Sequence, residues 1–197
     1  MKPSLPAAVS FALLFSACVN RPDPDEGKPD PSLANPVEIE GVENFAQVTA
    51  GVWRGAQPTA EGMAKLKAMG VKTIVNLRAL HSDRDGLRGL GLDYAHLPCT
   101  AAWADEEAVA QFLKIATDPS RRPVFVHCQH GSDRTGVAIA AYRVAVQGWS
   151  MEKARRELPR FKFHEVLVPL ERYLDDFDAN RVLGKMENAK VDVVKVP

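Results

Sequence analysis

The hydrophobic residues of the chain repeat with two periods, one typical of strands and one typical of helices. Short apolar or alternating runs predict four strands, around Val52 and Trp53 and over residues 71–78, 92–99 and 123–127. The last of these runs is apolar enough to be buried on both faces of a sheet.

Apolar positions at helical spacing predict helices between these strands and after the last one. Thr59 and Ser150 each stand before such a segment and are good N-cap residues. The predicted helices run from Thr59 to Gly70, from Asp105 to Thr117, and over residues 135–147, 151–158 and 164–178.

Strands that alternate with helices indicate an α/β fold, with a mostly parallel sheet and helices on both faces. Such sheets bind ligands at the carboxyl ends of their strands. The loop after residues 123–127 is therefore expected to lie at a binding edge.

The first residues depart from this pattern and indicate an export signal. Lys2 precedes a mainly apolar run from Leu5 to Ala17, too short to span a membrane comfortably, so residues 1–17 are a predicted signal peptide. The run ends in FSAC, which resembles a bacterial lipobox with phenylalanine in a usually aliphatic position. The resemblance implies acylation of Cys18 and an exported protein, anchored on the periplasmic or cell-surface side of a bacterial membrane. A plain signal peptide, with Cys18 as a free thiol, is the alternative.

Composition divides the rest of the chain into three parts. Residues 18–40 begin with the lipobox cysteine and are then rich in proline and acidic residues, which predicts a linker. Residues 41–180 are the predicted folded domain. Residues 181–197 are a tail that either adds an edge strand or stays irregular.

Charge and cysteine content limit the partners of this domain. Of the 197 residues, 46% are hydrophobic, which fits an ordinary globular protein. Lys and Arg total 25, as do Asp and Glu, so no global positive field attracts nucleic acid or an anionic membrane. Three cysteines support no disulfide framework. An anion site, if present, must be local.

The stretch VFVHCQHGSDRTGVAIAAYR, residues 124–143, turns from a buried strand into an apolar helix through a polar loop. Its glycines permit sharp turns, so the loop amides are predicted to converge into a phosphate-binding nest just before the helix. A helix N-terminus favours such an anion through its unpaired N–H groups and partial positive charge. The predicted phosphate-binding residues are Gln129, His130, Gly131, Ser132, Asp133 and Arg134.

The side chains of this loop fit phosphoryl transfer. The helix field favours the thiolate form of Cys128, which is the predicted nucleophile. Arg134 is the predicted clamp, because a guanidinium group binds two phosphate oxygens at once. Thr135 is predicted to donate a hydrogen bond to the sulfur when water cleaves the phosphocysteine, and His127 is predicted to brace the loop.

The stretch HCQHGSDRTG matches the His-Cys-x5-Arg-Thr-Gly signature, so the chain resembles the cysteine-dependent protein tyrosine phosphatase superfamily. A looser similarity over residues 45–160, through GVWRGAQPTAEGMAKLKAMGVKTIVNLR and GWSMEKARREL, resembles small bacterial dual-specificity-type phosphatases. The resemblance implies a four- or five-stranded sheet, phosphomonoester hydrolysis through phosphocysteine, and no metal or other cofactor.

The general acid is open between two aspartates. Relatives usually supply it from a loop soon after the preceding strand, where this chain has PCT. Asp105 is the first aspartate downstream and is either the acid or a helix N-cap. Asp133 is an acid, a substrate contact or a brace, and the variant Gly-x-Asp-Arg-Thr resembles phosphoinositide-directed and broad-specificity bacterial members.

The substrate is open between two classes. Phosphotyrosine or general dual-specificity activity on phosphorylated proteins is the first interpretation. Hydrolysis of a small phosphorylated polyol or lipid, such as an inositol polyphosphate or a phosphoinositide, is the second, and His130 in the loop would suit such a polyanion. Arg54, Arg78 and Arg84 either converge on the pocket rim, which would favour this second class, or are surface arginines.

Other interpretations compete with a phosphatase. A sulfurtransferase also holds an anion beside a cysteine, but the Arg-Thr-Gly and the preceding histidine disfavour it. A zinc site on His127, Cys128 and His130 is disfavoured because adjacent residues at a strand end point apart. A non-catalytic phospholigand-binding lipoprotein is the alternative from another class, because no aspartate lies beside Thr100. Cys99 is either a buried apolar thiol or the partner of a reversible disulfide with Cys128.

Overall fold

The computed structural model describes residues 30–100 and 104–197. Its strands are β1 (Val37–Ile39), β2 (Val42–Thr49), β3 (Val52–Gly55), β4 (Thr73–Arg78), β5 (Asp93–Cys99), β6 (Val124–His127) and β7 (Val194–Lys195). Its α-helices are α1 (Ala60–Ala68), α2 (Glu106–Thr117), α3 (Asp133–Ala145), α4 (Met151–Arg155), α5 (Val168–Asp175) and α6 (Ala179–Asn188). Short 3-10 helices span Pro119–Arg121 and Leu158–Phe161.

The seven strands of the described residues form one mixed sheet in the order β1-β2-β3-β6-β4-β5-β7. The central strands β3, β6, β4 and β5 are parallel. β1 and β2 extend one side as antiparallel strands, and β7 pairs antiparallel with β5 on the other. The α/β class is confirmed, whereas the expected four or five strands are too few, because the antiparallel edge strands lack the continuous apolar pattern of the centre.

Helices cover both faces of the sheet, as the alternation of elements predicts. Helices α2, α3, α5 and α6 contribute buried side chains to the larger hydrophobic core, together with β4, β5 and β6. On the opposite face, α1 packs Met63 and Leu66 into a second core with Ile74 and Phe125. Helix α3 is central, since its residues from Thr135 to Arg143 are all buried.

The predicted helix starts are confirmed by capping hydrogen bonds. The Thr59 hydroxyl accepts from the Gly62 amide at 3.1 Å, and the Ser150 hydroxyl accepts from the Lys153 amide at 3.1 Å. Helices predicted over 151–158 and 164–178 are shorter in the structure, where α4 ends at Arg155 and α5 begins at Val168. Prolines in the Leu158–Phe161 turn and in the first turn of α5 explain these ends, because proline fits only the first turn of a helix.

The predicted domain boundaries need correction at both ends. The assigned linker 18–40 reaches too far, because Leu33 and Ala34 are buried and β1 lies within it. The assigned tail 181–197 begins inside α6 and continues into β7, whose neighbour Val196 is also buried. Residues 31–197 thus form one compact unit.

The predicted signal peptide 1–17, Cys18 and the first part of the linker lie outside the described residues. Among the helices of the described ranges, none combines the length and the apolar character that a membrane span requires.

Candidate active site

Three parallel strands end together at one edge of the sheet and position the predicted loop. β3 pairs Gly55 with His127 of β6, and β4 pairs Asn76 with the same histidine. The loop follows His127 at once and runs into α3, which begins at Asp133. The loop therefore lies at the carboxyl edge, where open parallel sheets bind ligands.

Four successive carbonyl groups of this loop are bound by donors that belong to β2, β6 and the end of β3. The N–H of one trans peptide points away from its own carbonyl, so the amides of residues 129–132 face away from these donors. That orientation leaves the amides free to converge on an anion, as the predicted nest requires. The four contacts join His127 Nδ1 to Cys128 O at 3.1 Å, Gln57 N to Gln129 O at 3.1 Å, Asn44 Nδ2 to His130 O at 3.1 Å, and Arg54 Nη2 to Gly131 O at 2.6 Å.

Gly131 is required where the loop presses against the end of β3. Its φ angle is +69°, in the left-handed region that side chains disfavour. A Cβ atom here would lie 2.5 Å from the carbonyl carbon of Gly55 and 2.6 Å from the amide nitrogen of Ala56. Only glycine therefore allows the loop to pass this close to the strand.

Cys128, the predicted nucleophile, opens the loop and is 3% exposed. Ser132 takes the N-cap position of α3 without a capping hydrogen bond from its side chain, and the first amides of a helix have no intrahelical acceptor. The buried Thr135 hydroxyl has no partner within the described part of the chain. It is thus free for the predicted hydrogen bond to the sulfur.

His127 braces the loop through a buried ion pair with Asp83, a partner that sequence reasoning missed. His127 Nε2 lies 2.9 Å from Asp83 Oδ2, while its Nδ1 faces the Cys128 carbonyl. Both ring nitrogens are thus engaged, which fixes the orientation of the ring. Burial alone would raise the pKa of Asp83, but the hydrogen bond and charge of His127, with help from Gln57 and His81, hold it below its usual value.

Arg134, the predicted phosphate clamp, is positioned by two backbone carbonyls at the ends of β4 and β5. Its Nη1 donates to Leu77 O at 3.3 Å and to Cys99 O at 3.2 Å. Since these contacts use one nitrogen, the remaining donors of the planar guanidinium are left for phosphate oxygens. The clamping role stays a prediction that this geometry allows.

The two candidate acids differ in their surroundings. Asp105 accepts hydrogen bonds from the amides of Glu107 at 2.9 Å and Ala108 at 3.3 Å, so it caps α2. It also lines one small cavity with Arg134 and Cys99. Asp133 instead contacts both the amide and the ring of His164, at 2.9 Å and 3.1 Å, which is the contact of a brace.

Cys99 is a buried thiol beside this cavity. Burial, and then the negative charge of Asp105, raise the pKa of Cys99 to about 12. Both Cys99 and Cys128 are free in the structure. Their reversible disulfide stays a prediction.

The three arginines for which a pocket rim and the surface were both open lie in different surroundings. Arg54 is wholly buried, with its guanidinium stacked 3.7 Å above the centre of the Phe161 ring. Arg78 donates to Gln57 Oε1 at 3.1 Å, and Arg84 is exposed, 5.7 Å from the Tyr94 ring centre. Neither alternative, a shared rim or three surface arginines, describes all three side chains, because Arg54 is buried under the loop.

A polar cavity opens beside the loop. It measures about 280 Å³ and is lined by His130, Lys162 and His164, with Ser132, Asn44 and Glu43. Lys162 adopts a left-handed backbone conformation, with φ at 58°. No group of three or more His, Cys, Asp or Glu side chains within the described ranges is arranged to hold a metal ion.

The residues missed by sequence reasoning lie far from the loop in the chain. Asn44, Gln57 and Asp83 reach it only through the packing of β2, the end of β3 and the loop after β4. The sequence did offer a signal for Arg54. It is the charged residue of the short strand VWRG, and an arginine is almost never fully buried unless it is paired.

The chain is similar to known phosphatases. Residues 35–166 match the family described as "DSP-PTPase phosphatase fused to NAD+ Kinase". The dual specificity protein phosphatase TpbA of Pseudomonas aeruginosa is 34% identical over 121 residues, which cover 61% of this chain and 55% of TpbA. The chain thus spans about half the length of this curated relative. Inositol diphosphatase DSP2 of Oryza sativa is 26% identical over 155 residues, covering 71% of this chain and 72% of that protein.

The solved structures of TpbA share the fold. One crystal structure has a TM-score of 0.69 and 29% identity, over 80% of this chain and 98% of the other. Another, of a TpbA variant in complex with phosphotyrosine, has the same TM-score and 28% identity, over 80% of this chain and 98% of the other. Because the matched family covers most of the folded unit, the loop included, this chain belongs to the DSP-PTPase phosphatase family.

Proposed function

We propose that the chain is a cysteine-dependent phosphomonoester hydrolase that acts through a phosphocysteine intermediate. The proposal is carried by the four bound carbonyls of Cys128, Gln129, His130 and Gly131, because their contacts leave the amides of residues 129–132 free to bind a phosphoryl group. Such preorganised donors stabilise the charge on the equatorial oxygens of a phosphoryl group in transfer.

The proposed reaction has two steps. In the first, the Cys128 sulfur attacks phosphorus, the S–P bond forms and the ester P–O bond breaks, and the departing oxygen takes a proton from the general acid. In the second, water attacks phosphorus and gives its proton to the same carboxylate. The S–P bond then breaks, the electron pair returns to sulfur, and inorganic phosphate leaves. Arg134 holds the phosphoryl oxygens in both steps.

Phosphorylated tyrosine, or protein phosphate more generally, is the preferred substrate class. It is supported by the similarity to TpbA, a dual specificity phosphatase with a phosphotyrosine complex. Inositol polyphosphates or phosphoinositides are the second candidate. Lys162 in the cavity beside the loop offers a cation to a further phosphate group, and the similarity to an inositol diphosphatase also supports that class.

The deciding experiment measures phosphate release from a phosphotyrosine peptide, a phosphoserine peptide and a diphosphoinositol phosphate, with Cys128→Ser as the inactive control. Turnover that disappears in Cys128→Ser is the expected result, and the preferred substrate then chooses between the two classes. Cys99→Ser is the matched control, because it removes the other described thiol and should retain turnover. Tight binding of these compounds without Cys128-dependent turnover would instead indicate a phospholigand-binding protein.

We also propose that the protein is exported and acylated at Cys18. Support comes from the apolar run Leu5 to Ala17 and the FSAC sequence that ends it. A fatty-acid label fed to expressing cells should enter the unsubstituted chain and the Cys99→Ser variant but not Cys18→Ser. A shortened chain that never takes the label would replace this proposal with a plain signal peptide.

A further inference from the structure

Arg54 places a buried positive charge directly beside the phosphate loop. Its side chain is 0% exposed, and one of its nitrogens, Nη2, donates to Gly131 O at 2.6 Å. The other two, Nε and Nη1, have no hydrogen-bond partner within the residues that the structure describes. Buried charges in proteins are normally paired, whereas these two donors leave the positive charge of Arg54 unpaired beside the loop that begins at Cys128.

Two buried acids, Glu157 and Asp83, are already engaged by other partners. Glu157 is held by Arg143, whose Nε donates to Oε2 at 2.9 Å and whose Nη2 donates to Oε1 at 2.5 Å. Asp83 is paired with His127. Burial lowers the pKa of Arg54 to about 10, against the opposing influence of Glu157 and of an ionised Cys128. The guanidinium is thus still charged at neutral pH.

We propose that Arg54 is a positioning residue that fixes the phosphate loop from beneath and stabilises the negative charge of the Cys128 thiolate. The same charge stabilises the phosphocysteine, and this second part rests on the proposed function. Arg54 makes no covalent bond and moves no proton in either step. It acts through the Gly131 carbonyl and through its field.

Arginine suits this place better than lysine for a geometric reason. The guanidinium plane stacks on the Phe161 ring while its edge reaches the Gly131 carbonyl. An ammonium group supplies the charge without the planar stacking surface. The two functions of Arg54, charge and loop support, can therefore be separated by substitution.

The test measures how fast iodoacetamide alkylates Cys128 at a series of pH values, because only the thiolate reacts. Peptide mapping by mass separates Cys128 from Cys18 and Cys99. The variants are Arg54→Lys, which keeps the charge, and Arg54→Gln, which keeps a donor for the Gly131 carbonyl but no charge. Arg88→Met is the matched control, since its exposed side chain loses the same charge at the surface.

Arg54→Gln should raise the pH of half-maximal alkylation by on the order of one unit, as expected when a nearby opposite charge is lost. Arg54→Lys and Arg88→Met should stay close to the unsubstituted chain. In Arg54→Lys, inorganic phosphate should protect Cys128 less well, because the loop has lost its planar support.

Equal alkylation midpoints in Arg54→Lys and Arg54→Gln, both with the unsubstituted melting temperature, would overturn the proposal. If Arg54→Gln fails to fold, Arg54→Met prepared in saturating phosphate replaces it. The phosphate is then removed, and an alkylation midpoint equal to that of the unsubstituted chain overturns the proposal equally. Alkylation needs no turnover. A chain that shows the expected midpoints but releases no phosphate would thus contradict the proposed function and leave the role of Arg54 intact.

Discussion

The carboxylates of Asp105 and Asp133 are distinguished by the groups that they already contact. Asp133 is held by the amide and ring of His164, so it would have to give up these contacts to reach a leaving group. Asp105 is exposed, and it shares a cavity with Arg134. A helix cap at the edge of the site can still exchange protons with a leaving group, so Asp105 is the better candidate acid.

Asp105→Asn should slow hydrolysis of alkyl phosphates by about 100-fold or more, while activated aryl phosphates lose far less, because a good leaving group needs no proton. Asparagine caps helices as well as aspartate, so the melting temperature should not change. Steady-state rates on a phosphoserine peptide and on p-nitrophenyl phosphate check this. Asp178→Asn is the control, since Asp178 caps α6 with the same two amide contacts. Equal, small effects on both substrates would remove Asp105 from the mechanism.

The Asp83–His127 pair should make the free energy of unfolding depend on pH in the acid range. The pKa of Asp83 is depressed in the folded chain, mainly because His127 outweighs the cost of burial. Asp83 therefore stabilises the fold fully above the unfolded value of about 3.9, and this contribution is lost as pH falls through the lower, folded pKa. Urea unfolding from pH 7 to pH 2.5 should show a steeper acid loss for the unsubstituted chain than for Asp83→Asn. Asp85→Asn, at an exposed neighbouring position, is the control and should lose stability in acid as steeply as the unsubstituted chain. If the stability of Asp83→Asn also falls with pH in parallel with the unsubstituted chain, the pair does not stabilise the fold in this way.

Among the elements, those set by local signals were predictable from the sequence. Apolar runs predicted the central strands β4 and β6, and the N-cap residues Thr59 and Ser150 predicted the starts of α1 and α4. Strand β2 was missed, because the left-handed Asn44 interrupts its alternation near the start. β7 has only two residues and is defined by its pairing with β5, which no local pattern encodes.

In the candidate site, too, local features could be predicted from the sequence and long-range contacts could not. The loop from His127 to Thr135 could be predicted because its residues are contiguous and their chemistry is local. The groups that bind its carbonyls could not, since Arg54 and Gly131 are 77 positions apart in the chain and meet only in the folded sheet.

The edge strand β7 should contribute to stability although it is short. Val196 is 5% exposed, its amide donates to Leu92 O at 3.0 Å, and the Pro197 carbonyl accepts from the Gly89 amide at 2.8 Å. Val196→Ala removes two buried carbons and should lower the free energy of unfolding by about 1–2 kcal/mol. Urea denaturation measures the change, with the exposed Lys195→Ala as control. A loss no larger than that of the control would show that the strand is not docked in solution.

Across the whole molecule, one buried ion pair joins the N-terminal segment to the helical layer. Arg143 of α3 binds Glu157, which also accepts from the Ala34 amide, while Arg143 Nη2 reaches Ser32 O at 3.5 Å. Trp149 stacks on the guanidinium at 4.1 Å. Segments distant in the chain therefore depend on one carboxylate.

Glu157→Gln should lower the free energy of unfolding by about 3 kcal/mol, because it leaves the buried charge of Arg143 uncompensated. Replacing both partners, Arg143→Met with Glu157→Met, should recover much of this loss, since an apolar pair carries no desolvation penalty. Urea unfolding of Arg143→Met, Glu157→Met and the double variant measures the coupling, and Glu152→Gln, exposed at the start of α4, is the control for Glu157→Gln. Additive losses in the double variant would mean that the two side chains stabilise the fold independently. The predicted recovery would instead show that the charge of Glu157 is needed because Arg143 is buried with it.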